Sequence, residues 1–241
     1  MNNFNHDINA VVIGASGGIG SALVQQLSAD DKVHTIYAFS RSEKSFAHDK
    51  VKAGYIDVID EQSVQQAAQS CDNEINLIIV ATGILHDGQS LPEKSLRDLD
   101  FDAMQSCFAI NTFGPALVAK HFLPLIPREG KSVFAALSAR VGSISDNGIG
   151  GWYSYRASKT ALNMFLKTTA IETGRKYKDA AILGLHPGTV DTSLSQPFQA
   201  HVHHEIFSPD QAADYLLKVI DNVTPQNSGK FFDWKGEEVL P

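Results

Sequence analysis

Short runs of apolar and β-branched residues recur along the chain at about 10–13, 34–39, 52–56, 75–80, 131–137, 180–186 and 229–233. Runs of this length, bounded by turn residues, predict buried strands. Between most of them the apolar positions fall at helical spacing. Ser21–Leu27 is one such stretch, and Pro209–Asn222 is another. After Trp152, a third places Ala157, Ala161, Leu162, Phe165 and Leu166 on one stripe, which predicts a core-facing long helix that a partner helix could share. Strand and helix in alternation predict an α/β fold, a doubly wound parallel sheet. No repeat, low-complexity tract or linker interrupts the 241 residues, a length that suits one domain. Ser193–Ser208 alone breaks the pattern: it holds Pro197, Phe198 and His201-Val202-His203-His204-Glu205 without periodicity.

The ends of these strands carry the candidate chemistry. Ala10–Ile13 runs into Gly14-Ala15-Ser16-Gly17-Gly18-Ile19-Gly20, and a helical pattern follows. A glycine-rich turn between strand and helix lets backbone amides approach a pyrophosphate at the positive helix end. The spacing Gly14-x-x-x-Gly18-x-Gly20 is a variant of the dinucleotide fingerprint in the context that fingerprint requires. About twenty residues on, where a ribose-reading acid would stand, the strand His34–Phe39 ends in Ser40-Arg41-Ser42. A carboxylate there would repel a 2′-phosphate; Arg41 offers it a charged planar fork, and the two serines add hydroxyls. Gly14, Arg41, Gly83, Ser138 and Pro187 all follow strand-like runs, so a parallel sheet would gather them on one rim.

Tyr155 and Lys159 stand four apart at the start of the long helix, roughly 40° apart on one face. An ammonium near a phenol favours phenolate, which predicts a lowered tyrosine pKa and proton exchange with a substrate oxygen. Tyr153 competes for that role, but its offset of six from Lys159 turns it about 240° around the helix.

With these pieces in this order, the chain resembles the short-chain dehydrogenase/reductase family, one-domain type, from about Ala10 to its carboxyl end. The matching residues are Gly14-x-x-x-Gly18-x-Gly20, Asp57-Val58, Asn111, Ser138, Tyr155-x-x-x-Lys159 and Pro187-Gly188 with Thr192. Gly148–Lys159, His186–Thr192 and Phe231-Phe232-Asp233-Trp234 are similar to the branch of C-factor-like proteins and sniffer-type carbonyl reductases. The resemblance implies a Rossmann-type sheet that binds NADP(H), and NADPH-dependent reduction of a small ketone, aldehyde or quinone-like carbonyl. It implies Tyr155 as general acid, Lys159 as its pKa-lowering partner on the nicotinamide ribose, and Ser138 as the group orienting the carbonyl. Asn111 would position a water leading from Lys159 to solvent. Ser16, Gly17 and Ile19 would join the glycine turn, and Asp57 and Val58 the adenine end. Ala81 and Thr82 would line the cofactor beside Gly83, and Pro187, Gly188, Val190 and Thr192 would wall the nicotinamide. Where the family often has Asn-Asn-Ala-Gly, this chain reads Val80-Ala81-Thr82-Gly83, which keeps the glycine and loses the amides. Ser193–Ser208 takes the place of a substrate loop, with Phe198 as its apolar cap. A homodimer or homotetramer is implied, and so is an alternative role as a cofactor-binding signalling protein with incidental turnover.

Composition narrows the remaining choices. Hydrophobic content of 43% and charged content of 20% fit a folded globular enzyme. A net charge of -7 argues against a nucleic-acid-binding module. The start Met1–Asp7 lacks the basic and apolar regions of a signal peptide, and no run approaches the roughly 20 apolar residues of a membrane span. Cys71 and Cys107, both in helix-like stretches, read as lone thiols of a reducing cytoplasm. His201, His203 and His204 share no strand or helix face, so no metal site is expected. The aromatics of Phe231–Trp234 are expected in core or subunit packing rather than at a cofactor.

Overall fold

The computed structural model describes residues 1–42, 44–86, 91–201 and 205–240. Seven strands, β1 (Ile8–Ile13), β2 (Val33–Ser40), β3 (Val51–Tyr55), β4 (Leu77–Val80), β5 (Ser132–Leu137), β6 (Ala180–His186) and β7 (Lys230–Asp233), form one sheet. Its order is β3-β2-β1-β4-β5-β6-β7, and every named pairing is parallel. Helices α1 (Gly18–Ser28), α2 (Glu61–Gln69), α3 (Phe101–Phe108), α4 (Gly114–Phe122), α5 (Tyr153–Lys176) and α6 (Pro209–Asn222) cover it, giving a Rossmann-like single domain.

Side-chain alternation along the strands builds the two cores. In β1, Ile8, Ala10 and Val12 pack with Leu23 and Leu27 of α1 and Leu216 and Ile220 of α6. Val11 and Ile13 point the other way, to Val64 of α2, Phe122 of α4 and Leu162 and Leu166 of α5. A strand buried on both faces reads as a continuous apolar run, which is why these strands were legible. β3 departs from that expectation. It is the sheet edge, with Tyr55 62% exposed, so it needs apolar residues on only part of its surface.

Three other expectations change. Helix α1 begins at Gly18, three residues before its apolar pattern, because the first turn is built from glycine. A Cβ at Gly20 would stand 2.1 Å from the Gly14 carbonyl oxygen. In α5, Leu162 and Leu166 are buried and Ala161 and Phe165 half-buried, but Ala157 faces solvent. Cys71 lies just beyond the end of α2 rather than in a helix. Phe232 is in the core as expected, and Trp234 packs on Phe207 and Tyr215 with ring centroids 4.6 and 5.1 Å away. Among the described residues, no helix is long and apolar enough to cross a membrane.

The strand order reverses between β1 and β4. Chain directions diverge there and leave a crevice above the carboxyl ends of the strands.

Candidate active site

The floor of the crevice is made where β1 and β4 end. Gly14, at φ +88°, sits so close to the β4 end that a Cβ would lie 3.0 Å from Ala81 backbone atoms. The turn closes with Gly17 N–H donating to the Gly14 carbonyl at 3.0 Å. Gly17 is the N-cap of α1 and supplies no capping side chain, and the first turn holds no acidic residue. Helix N–H groups left in this state, at the positive end of the dipole, suit an anion.

Two adjoining cavities of about 520 and 210 Å³ share Gly17, Ala81, Thr82 and Gly83 in their walls. The smaller is lined by Gly14, Ser16, Ser40, Arg41, Ser42, Asp57 and Val58, with Ile56, Ile84 and Ile110. The larger takes Gly18, Ile19, Gly20, Ser138, Tyr155, Lys159, Pro187, Gly188, Val190, Thr192 and Phe198. Asn111 is the one anticipated site residue that lines neither. Thr82 Oγ1, between the two cavities, is buried and has no hydrogen-bond partner among the described residues. An orphaned hydroxyl in this wall, together with an uncapped glycine turn and Arg41 at the smaller cavity, fits a dinucleotide phosphate and ribose chain. Ser40 is committed elsewhere than expected, since its hydroxyl donates to the Ser42 carbonyl at 2.7 Å and shapes the turn.

In the larger cavity, Lys159 is buried and Tyr155 half-buried. Lys159 Nζ donates to the Leu137 carbonyl at 2.8 Å and stands 5.8 Å from the Tyr155 ring centroid. Burial depresses the lysine to about 8 and pushes the tyrosine above its ordinary value. The expected lowering of Tyr155 by Lys159 is therefore reversed here. Both groups lose water, and desolvation acts against the charged form of each. Ser138, at the end of β5, is buried and donates to Asn163 Oδ1 at 2.6 Å. Tyr153 points outward, 37% exposed, and lines neither cavity.

Asn111 sits in a π-helical stretch, Ala109–Phe113, between α3 and α4. Fully buried, it accepts from Ile84 N–H at 2.9 Å, and its amide donates to the Ile84 carbonyl at 2.8 Å and to Ser158 Oγ at 3.1 Å. It is a strut tying the loop after β4 to α5. A Cβ on Gly83 would lie 3.4 Å from its Oδ1 and 3.5 Å from Lys159 Nζ, which places Gly83 beside both groups.

The turn after β6 is held by packing and by main-chain hydrogen bonds. Gly188, at φ +78°, lies against the ring of Phe207, where a Cβ would approach to 2.7 Å. Phe207 N–H donates to the Thr189 carbonyl, and Asp191 N–H to the Phe207 carbonyl, both at 2.8 Å. These bonds pin the neck of the 193–208 segment. The segment is less irregular than expected, because Gln196–His201 forms a 3₁₀ helix. Val202, His203 and His204 lie outside the described residues. Phe198 projects from that helix against Trp152, with centroids 5.3 Å apart, and Trp152 meets Tyr155 at 6.3 Å. Trp152 and Arg140 are cavity residues that sequence reasoning missed. Arg140 belongs to the glycine-bearing stretch between Ser138 and Tyr155. That stretch is partly anchored, since Gly142 is packed on Lys159 so tightly that a Cβ would come within 2.8 Å of its side chain.

Comparison with known proteins bears on the family and the fold. A family model described as short chain dehydrogenase matches residues 9–203. A dehydrogenase of 1-hydroxy-2-glutathionyl-2-methyl-3-butene from Rhodococcus sp. (strain AD45) is 33% identical over 223 residues, covering 92% of this chain and 94% of that protein. The C-signal protein of Myxococcus xanthus is 35% identical over 145 residues, 60% of this chain and 82% of its own length. Among solved structures, NADPH-bound carbonyl reductase from chicken fatty liver superposes with a TM-score of 0.85 at 25% identity, covering 98% of this chain and all of that one.

Proposed function

The chain belongs to the short-chain dehydrogenase family of oxidoreductases, and on that premise we propose that it is an NADPH-dependent reductase of small carbonyl compounds. One observation carries the reading: Tyr155, Lys159 and Ser138 face one cavity of about 520 Å³ that joins the glycine turn. NADP(H) over NAD(H) is supported by Arg41 at the smaller cavity and by the NADPH named with the chicken-liver reductase.

A nicotinamide held in this cavity would supply hydride to the carbonyl carbon; the chain's own groups do the rest. Tyr155 donates its phenolic proton to the carbonyl oxygen as negative charge develops there. An alkoxide is a far stronger base than a phenolate, so transfer runs downhill even from a phenol whose pKa burial has raised. Ser138, its own proton held by Asn163, can only accept on the cavity side, so it steadies the Tyr155 hydroxyl rather than the carbonyl oxygen, and Lys159 sets the charge on the tyrosine's flank. Gly188 and Thr192 close the nicotinamide side, and Phe198 and Trp152 exclude water. Helices α3 to α5 leave Phe101, Phe113 and Met164 exposed, apolar area that supports a homo-oligomer.

The test is turnover of a panel of ketones, aldehydes and quinones with NADPH, wild type against Tyr155→Phe and Tyr153→Phe. Tyr155→Phe is expected to lose about 10²–10⁴-fold in rate while still binding NADPH, and Tyr153→Phe to stay near wild type. Dead Tyr153→Phe beside active Tyr155→Phe would overturn the assignment. The C-signal likeness favours a second reading, a cofactor-binding signalling protein with incidental turnover. Absence of turnover across the panel, with NADPH still bound, would select it.

A further inference from the structure

Helix α5 carries Tyr155 and Lys159, and its amino terminus lacks a cap of its own. The N-cap position is Trp152, which has no side-chain oxygen to accept from the first-turn N–H groups. It is also the one described non-glycine residue at positive φ, 52°, a conformation that crowds a bulky side chain. A feature of this kind persists only where the surroundings impose it.

Glu93 imposes it. This residue comes from the segment between β4 and α3, distant in sequence from α5, and is buried, 7% exposed. Its backbone carbonyl accepts from Trp152 N–H at 2.6 Å. One carboxylate oxygen accepts from Ser154 N–H at 3.2 Å, and the other takes a short hydrogen bond from the Ser154 hydroxyl. Ser154 is itself buried, at 5% exposure. Three hydrogen bonds from one residue thus fix the backbone on both sides of Tyr153 and stop one residue short of Tyr155. They also hold the indole of Trp152 against Tyr155 and Phe198. A carboxylate is suited to the place, because it answers free N–H groups and the positive end of the helix together.

We propose that Glu93 is the positioning residue of the catalytic helix: acting through Trp152 and Ser154, it supplies the cap that α5 lacks and sets Tyr155 in the substrate cavity. The inference rests on the reductase reading for its kinetic consequence, though not for its structural one. Glu93→Ala leaves Ser154 without its side-chain acceptors, while the main-chain carbonyl at 93 still takes the Trp152 N–H, so the loss falls on the first turn at Ser154 and beyond. Glu93→Gln keeps one oxygen for the Ser154 N–H, and its amide can donate to the Ser154 hydroxyl, so it restores both contacts.

The experiment combines single-turnover hydride transfer at saturating NADPH, NADPH affinity and hydrogen exchange over residues 153–156. For Glu93→Ala we expect a rate at least about tenfold lower, since small misplacements of reacting groups are costly. NADPH Kd should stay within about twofold, because Glu93 lines neither cavity. Exchange in the first turn should accelerate, and Glu93→Gln should recover the rate to within about threefold by restoring the bonds. A full rate or unchanged exchange in Glu93→Ala overturns the proposal, as does a Gln variant that falls as far as Ala. If Glu93→Ala does not fold, Ser154→Ala takes its place. It should slow hydride transfer and loosen the first turn at unchanged NADPH Kd, and a wild-type rate in that variant overturns the proposal. A wild type inactive on every carbonyl would sink the reductase reading instead, and the exchange data would still decide whether Glu93 holds the helix.

Discussion

Ser138 donates its hydroxyl hydrogen to Asn163 Oδ1, one helical turn beyond Lys159 on α5. The Asn163 amide nitrogen faces the Gly142 carbonyl at 3.5 Å. Flipping that amide would set two oxygens against each other, so the orientation is fixed by its neighbours. Ser138 therefore turns lone pairs, not its proton, toward the cavity, and meets the reacting groups as an acceptor. Asn163→Ala releases the hydroxyl. The expected result is a kcat lower by about 2–10-fold, the equivalent of one net hydrogen bond. NADPH Kd should not change. Steady-state kinetics on the purified variant checks both.

Arg41 stands at the smaller cavity with Ser42, where a 2′-phosphate would meet a guanidinium. Arg41→Asp removes an attractive charge and adds a repelling one. NADPH affinity is expected to fall at least about tenfold, with NADH affected less than about threefold. Fluorescence titration with each nucleotide at two salt concentrations measures this, and the NADPH loss should shrink at high salt. Equal affinity of the wild type for the two nucleotides would remove the basis for NADP(H).

Lys159 gives stability a pH dependence whose sign is the reverse of a surface lysine in an ion pair. Burial lowers its folded pKa to about 8 from the ordinary 10.5. Between those values the unfolded chain holds more protons than the folded one. Its contribution is fully present above 10.5 and is lost as pH falls through about 8. Lys159→Met abolishes the titration. The melting-temperature difference, wild type minus variant, is expected to rise from pH 7 to pH 10. A flat difference would mean that the folded lysine titrates like a free one.

Phe198 packs between Trp152 and His86, with centroids 5.3 and 5.6 Å away, and lines the larger cavity. Phe198→Ala should raise KM for bulky aromatic carbonyls about fivefold and change kcat less, the pattern of lost uniform binding. Thermal unfolding accompanies the kinetics. A large fall in Tm with unchanged KM would make Phe198 a packing residue and remove its role over the substrate.

The sequence by itself determined the frame. Continuous apolar runs announce strands buried on both faces, and the glycine turn, Arg41, Ser138, Tyr155 and Pro187-Gly188 stand at the ends of those strands or at the start of the long helix. The chemistry of a parallel sheet's rim depends on these local positions, so residue type and spacing are enough to find it. Tertiary packing decided what each group does there. Burial, which no spacing encodes, raised the Tyr155 phenol and depressed Lys159. The direction of the Ser138 hydroxyl was set by Asn163, and that of Asn111 by Ile84 and Ser158. Nothing in residue type or spacing links Trp152 to Glu93. Their partnership joins segments about sixty residues apart. Contacts of that range leave no periodicity in the chain; they exist only once the two cores have closed and excluded water from the groups between them.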